Sequence, residues 1–214
     1  NRLPALQPGG QALGFSVLGP LAVAFCHWLH DRRAARPAAG LYFLARDMYL
    51  MREVYGLLYP EEKTEYLQVS RRSLAPAFLA AGEYACVLAA LPRQRLTGAQ
   101  LAAYCGTVCP EGEAESVFDL KTPDTKALYA FLAKLPRPET ADAVTGYLQS
   151  KQLQAGDILV DIGSGGTTQL LLEKLLGTEL HGMQLSADDR LRSRFSAART
   201  EVFLFDGAPA PRIY

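Results

Sequence analysis

The sequence predicts an α/β protein with a mostly parallel sheet flanked by helices and with an inserted helical subdomain. Short apolar runs alternate with helical patterns near both ends of the chain, which is typical of strand–helix–strand units. Between about Leu74 and Leu153 the pattern changes to Ala/Leu-rich helices. We therefore predict an α/β core formed by residues 1–73 and 154–214, with a helical insertion, or cap, at 74–153.

The composition is that of an ordinary globular chain. Its 22 basic and 22 acidic residues give a net charge of zero, so no global field favours nucleic acid, and any anion site must be local. The four cysteines form no Cys-x-x-Cys pair and predict reduced thiols in the cytoplasm. The longest apolar stretch, Leu18 to Leu29, is too short for a transmembrane segment.

The first predicted elements form one compact strand–helix–strand unit. After a Pro/Gly-rich arm at 1–13, the pattern predicts a helix to about Arg33, a strand at 41–45, a helix at 48–58 and a strand at 65–69. Parallel strands joined in this way end at the same edge of a sheet. The polar residues that follow the two strands should therefore meet there; they are Arg46, Asp47, Ser70, Arg71 and Arg72.

Four helices are predicted in the insertion, at about 75–91, 97–105, 122–135 and 139–152. Thr97 and Thr122 are the expected N-caps of the second and third helices. The insertion either covers a ligand crevice and shapes acceptor recognition or packs on the sheet without a ligand role.

A small-residue loop follows the apolar run Ile158–Val160 and precedes a predicted helix at 168–176. Its residues are Gly163, Ser164, Gly165, Gly166, Thr167 and Thr168. Glycines allow close approach of a ligand to the backbone, and helix N-terminal amides attract phosphate. Asp161 ends the preceding strand and should face the same crevice. The loop alone fits an S-adenosylmethionine methyltransferase, an actin-like ATPase, a phosphoribosyltransferase or a turn that binds nothing.

The position of this loop in the chain favours the phosphoribosyltransferase. Only 46 residues follow Thr168, enough for predicted strands at 179–185 and 201–205 and a charged, solvated connection between them. A methyltransferase places its Gly-rich loop on the first strand and needs most of its sheet afterwards. An actin-like ATPase needs two lobes and a much longer chain.

The chemistry of phosphoribosyl transfer assigns roles to these residues. Cleaving the bond from the anomeric carbon to pyrophosphate builds positive charge on the ribose and negative charge on the pyrophosphate. Arg46, with Arg71 or Arg72, would neutralise the pyrophosphate, helped by a bridging Mg²⁺. The loop amides would hold the 5-phosphate and Asp161 the ribose hydroxyls. Asp47 would contact the metal or accept the proton of the acceptor hydroxyl.

Four blocks in fixed order resemble a module of large bacterial polysaccharide-biosynthesis proteins. They are Leu18–Pro20, Leu41–Asp47, Tyr66–Ser73 and Val160–Gln169. The resemblance implies a glycan phosphoribosyltransferase of type I fold, which transfers 5-phosphoribose from phosphoribosyl pyrophosphate to a sugar of O-antigen or capsule. It also implies partner glycosyltransferase domains, a haloacid-dehalogenase-like phosphatase that leaves ribofuranose, and a location in the cytoplasm or at the inner membrane surface.

Two departures from ordinary nucleotide-salvage phosphoribosyltransferases favour a non-nucleobase acceptor. Ile162 stands where a second acidic residue is usual, and Asp47 and Met48 replace the glycines of the pyrophosphate turn. Two alternative functions stay open: a methyltransferase, and a non-catalytic module that docks a neighbouring phosphatase or glycosyltransferase domain.

Overall fold

The computed structural model describes residues 10–204, so residues 1–9 of the predicted arm and Phe205 of the last predicted strand lie outside it. Residues 10–13, the rest of the predicted arm, are helical. The chain divides into two compact units. The sheet unit comprises residues up to 68, 156–165 and from 181 onward, and the helical unit comprises 69–155 and 166–180.

Strands and helices alternate along much of the chain. The strands are β1 (Leu41–Leu44), β2 (Glu65–Leu67), β3 (Arg95–Thr97), β4 (Val117–Asp119), β5 (Ile158–Ser164), β6 (His181–Ala187) and β7 (Thr200–Val202). The α-helices are α1 (Gly10–Leu13), α2 (Gly19–Arg33), α3 (Tyr49–Leu58), α4 (Arg71–Ala80), α5 (Tyr84–Ala90), α6 (Gly98–Tyr104), α7 (Thr125–Leu132), α8 (Ala141–Ser150), α9 (Thr167–Leu176) and α10 (Asp189–Arg194), with a π-helical turn at Gly14–Leu18 between α1 and α2.

The sheet unit contains a five-stranded parallel sheet in the order β2-β1-β5-β6-β7. Alternate residues of β1 and β5, such as Phe43 and Val160, pack in one apolar core with Phe25 and Leu29 of α2 and Tyr55 of α3. The predicted α/β class with a parallel sheet flanked by helices is therefore confirmed.

The order of the strands reverses direction between β1 and β5. From β1 the chain passes to β2 on one side, whereas β5, β6 and β7 extend the sheet on the other side. In open α/β sheets this reversal is the topological switch point, and ligands bind there, outside the carboxyl ends of the strands. The ends of β1 and β5 are thus where a site is expected.

The helical unit differs from its predicted pattern in three places. The helix predicted at 75–91 is two helices, α4 and α5, separated by Gly82, whose positive φ of 72° ends the first helix. Thr97 is confirmed as an N-cap and forms a capping box with Gln100, but α7 is capped by Asp124 rather than by Thr122. The hairpin of β3 and β4 was not predicted, because three-residue strands show too little alternation.

No helix among residues 10–204 is both long and apolar enough to cross a bilayer.

Candidate functional site

A tight turn after β1 presents Arg46 and Asp47 to solvent. The turn is closed by hydrogen bonds from the Met48 amide to the Leu44 carbonyl (3.3 Å) and from the Tyr49 amide to the Arg46 carbonyl (3.1 Å). The Met48 side chain is fully buried and anchors the turn in the core. Among residues 10–204, the side chains of Arg46 and Asp47 form no ion pair or hydrogen bond. Neither charge therefore stabilises the fold through a partner within these residues.

The end of β5 carries Asp161 and the first glycines of the loop. Asp161 is partly buried and engaged in a polar interaction, and it pairs across the sheet with Gln184. Gly163 has a φ of +100°, and a Cβ there would lie 1.8 Å from the Ser186 carbonyl oxygen and 2.9 Å from Gln184 Oε1. Only glycine fits this position, so Gly163 sets the path of the backbone into the loop. Ser164 is the last residue of β5.

These two segments lie at neighbouring strand ends. The strands β1 and β5 are hydrogen-bonded to each other up to the pair Phe43–Val160, and both then run toward the same edge. The structure therefore brings Arg46 and Asp47 to the switch-point edge that also carries Asp161, Gly163 and Gly165, as the sequence predicted.

Ser70, Arg71 and Arg72 lie in the helical unit, at the N-terminus of α4. The Ser70 hydroxyl accepts a hydrogen bond from the Ser73 amide (3.2 Å), so its first role is to cap the helix. Arg71 and Arg72 are exposed, and Arg72 also lies over the Tyr104 ring, 5.4 Å from its centre. The first turn contains no acidic residue, so two cations occupy the positive end of a helix dipole. A bound anion would reduce the electrostatic repulsion between these two cations and the positive end of the helix.

Gly166, Thr167 and Thr168 form the N-terminus of α9 in the same unit. Gly166 adopts a left-handed conformation (φ 64°) at the N-cap and supplies no side-chain cap. Its carbonyl accepts a hydrogen bond from the Leu170 amide (3.0 Å). The helix packs against α4, and Lys174 in its last turn lies 4.0 Å from Glu83, just after the end of α4. The N-termini of α4 and α9 therefore lie at the other end of this helix pair.

Sequence reasoning missed a third element beside the loop. Residues 188–199 were predicted to be a solvated connection, but α10 begins there, capped by Asp188. Its Arg190 side chain lies against Gly165, and Arg194 Nη1 donates a hydrogen bond to the Gly165 carbonyl. The missed signal was the N-cap: an aspartate before a short helical pattern with basic residues in the last turn.

The side chains of α10 are strongly paired. The Asp188 carboxylate accepts hydrogen bonds from Arg190 Nε (2.9 Å) and from the Arg190 amide (2.9 Å). The hydrogen bond from the Arg190 side chain holds the pKa of Asp188 below its usual value, and the same contact raises the pKa of Arg190. Both groups are therefore charged throughout the neutral range.

The predicted Mg²⁺ has one candidate protein ligand. Among residues 10–204, no three His, Cys, Asp or Glu side chains come together in a way that could hold a metal. Asp47 supplies a single exposed carboxylate at the switch-point edge. One carboxylate together with substrate phosphates is how Mg²⁺ is often bound, so the residues fit a metal that arrives with its substrate rather than a resident ion.

Neither the protein-family models nor the curated proteins contain a match to this chain.

Proposed function

We propose that this protein transfers a 5-phosphoribosyl group from phosphoribosyl pyrophosphate to a sugar hydroxyl of a bacterial surface glycan and releases pyrophosphate. One observation carries the proposal: Arg46 and Asp47, a cation and a carboxylate without partners among residues 10–204, stand beside a Gly-rich loop at the switch point of a parallel sheet. A ligand with anionic groups and a sugar between them matches that set of residues.

In this proposal each residue at the edge has a separate task. The guanidinium of Arg46 binds pyrophosphate oxygens as charge builds on them, and its planar donors match phosphate geometry. Asp161 accepts hydrogen bonds from the ribose hydroxyls and fixes the sugar ring. Asp47 accepts the proton of the acceptor hydroxyl or contacts Mg²⁺, which would supply further charge neutralisation of the pyrophosphate.

The Gly-rich loop is the proposed 5-phosphate site. Within the sheet unit the loop runs from Gly163 to Gly165, where the glycine backbone lets a phosphate approach closely. Gly166, Thr167 and Thr168 stay predicted phosphate contacts, from their position in the chain before α9. Arg71 and Arg72 stay predicted pyrophosphate contacts, from their position in the chain after β2.

Calorimetry with phosphoribosyl pyrophosphate and Mg²⁺ tests the proposal. We expect Arg46→Gln and Asp161→Asn each to weaken binding at least about tenfold, because each removes a charged hydrogen-bonding group that meets the ligand. Arg52→Gln is the matched control: Arg52 lies on α3 and pairs with Glu53, so affinity should not change. Release of pyrophosphate with isolated surface glycan should be lost in the first two variants.

Full activity in Arg46→Gln or Asp161→Asn, with thermal unfolding unchanged, would contradict the proposed roles. Binding of S-adenosylmethionine in place of phosphoribosyl pyrophosphate would indicate a methyltransferase. Failure to bind either compound would favour a non-catalytic docking module in a polysaccharide-biosynthesis system.

A further inference from the structure

We propose that α10 takes part in phosphate binding. Arg190 contacts the phosphate held by the Gly-rich loop, and Arg194 positions that loop. The inference rests on the proposed function, because it assigns two further residues to the same ligand. It is carried by the contacts that both side chains make with Gly165.

The guanidinium of Arg190 lies directly against the backbone of the loop. A Cβ built on Gly165 would lie 3.2 Å from Arg190 Nε and 3.4 Å from its Cζ. The Arg190 side chain therefore occupies the space beside Gly165 that a side chain at that position would fill. About half of the side chain is exposed (52%), so a ligand in solvent can reach it.

Asp188 orients this guanidinium without using all of its donors. The Asp188 carboxylate accepts hydrogen bonds from Arg190 Nε (2.9 Å) and Nη2 (2.5 Å). A guanidinium has five N–H donors, so others are left over. Within residues 10–204 the Nη1 donors of Arg190 have no hydrogen-bond partner. Arg190 therefore keeps donors available for an anion beside Gly165 while Asp188 holds its guanidinium in place.

Arg194 acts on the loop through the peptide that joins Gly165 to Gly166. Its Nη1 donates to the Gly165 carbonyl oxygen, which fixes the plane of that peptide. In a planar trans peptide the next N–H points away from the carbonyl, so the Gly166 amide is directed to the side opposite Arg194. A fixed amide binds a phosphate with less loss of entropy than a mobile one. Arg194 is therefore a positioning residue.

The test compares variants of three arginines on one short helix. We expect Arg190→Met to weaken the binding of ribose 5-phosphate, measured by calorimetry, at least about tenfold, while Arg190→Lys recovers part of the loss. We expect Arg194→Met to weaken it about threefold to tenfold. Arg192→Met is the control, because the Arg192 side chain donates to the Thr200 carbonyl at the start of β7. Inorganic pyrophosphate is the second probe, and its affinity should stay within about twofold in every variant.

The outcomes separate this inference from the proposed function. If the wild-type protein binds phosphoribosyl pyrophosphate and ribose 5-phosphate but Arg190→Met binds both equally well, the role of α10 is wrong and the proposed function stands. A loss in Arg192→Met equal to that in Arg190→Met would overturn the inference as well. If the wild-type protein binds none of the phosphate probes, the proposed function fails and the inference fails with it. Thermal unfolding of each variant identifies any loss that comes from the fold.

Discussion

The amino edge of the parallel sheet and the turn after β1, at the carboxyl edge, differ in how their charged side chains are paired. At the amino edge, Asp157 accepts a hydrogen bond from the Gly40 amide (2.7 Å), and buried His181 bonds Glu201 (3.0 Å). Glu201 also forms ion pairs with Arg32 and Arg36, at 3.4 and 3.2 Å. At the carboxyl edge, the side chains of Arg46 and Asp47 are exposed and have no partner within residues 10–204.

The difference separates charges that hold the fold from charges that are available to a ligand. A buried carboxylate with several partners cannot be neutralised without leaving those partners unsatisfied. An exposed, unpaired charge can be removed at little cost to stability, so Arg46 and Asp47 are not required by the fold. They stand at the edge where the topology of the sheet favours a ligand.

The largest expected effect comes from Gly163 at the carboxyl edge. Gly163→Ala places a methyl group against the Ser186 carbonyl in a backbone conformation that only glycine adopts easily, so we expect a loss of at least about 3 kcal/mol of stability. Gly56→Ala in α3 is the control, because a Cβ there meets nothing within 4 Å; it should stabilise by about 0.5–1 kcal/mol. Urea unfolding measures both. Equal stability of the two variants would show that the path of the loop is not fixed by Gly163.

Neutralising one carboxylate at each edge tests the comparison directly. We expect Glu201→Gln to cost about 1–3 kcal/mol, because it weakens hydrogen bonds and ion pairs to three partners around a mostly buried group. Asp47→Asn should change stability by less than about 0.5 kcal/mol but impair the proposed phosphoribosyl transfer. Chemical denaturation of both variants is the measurement. A greater loss of stability in Asp47→Asn would reverse the assignment of the two edges.

The smallest effect is a pH dependence at the amino edge. Burial, followed by the charge of Arg36, lowers the pKa of His181 below its ordinary value of about 6.5. The unfolded chain then binds more protons than the folded one, so stability falls as the pH drops below about 6.5, by at most about 1.4 kcal/mol per pH unit. Urea unfolding at pH 7.5 and 5.5 should show a smaller drop in His181→Gln than in the wild type. Equal drops would show that His181 does not titrate in this range.

Local sequence signals predicted most of the core, because they depend on neighbours in the chain. The short apolar runs at Ile158–Val160 and in β1 were enough to predict two buried strands, and Thr97 required only its capping partner. The same logic placed Arg46 and Asp161 at the ends of parallel strands. It failed at Gly82 and at Asp188, where a single residue ends or begins a helix.

The sequence by itself determined the α/β class, the order of the strand ends and the residues that follow them, since hydrophobic periodicity and turn residues act over a few positions. Only the tertiary structure decided which strands are neighbours, and with them the switch point between β1 and β5. It also decided that Arg190 and Arg194 reach Gly165. Strand pairing and contacts across more than 20 residues depend on how whole faces pack, and no local pattern encodes that choice.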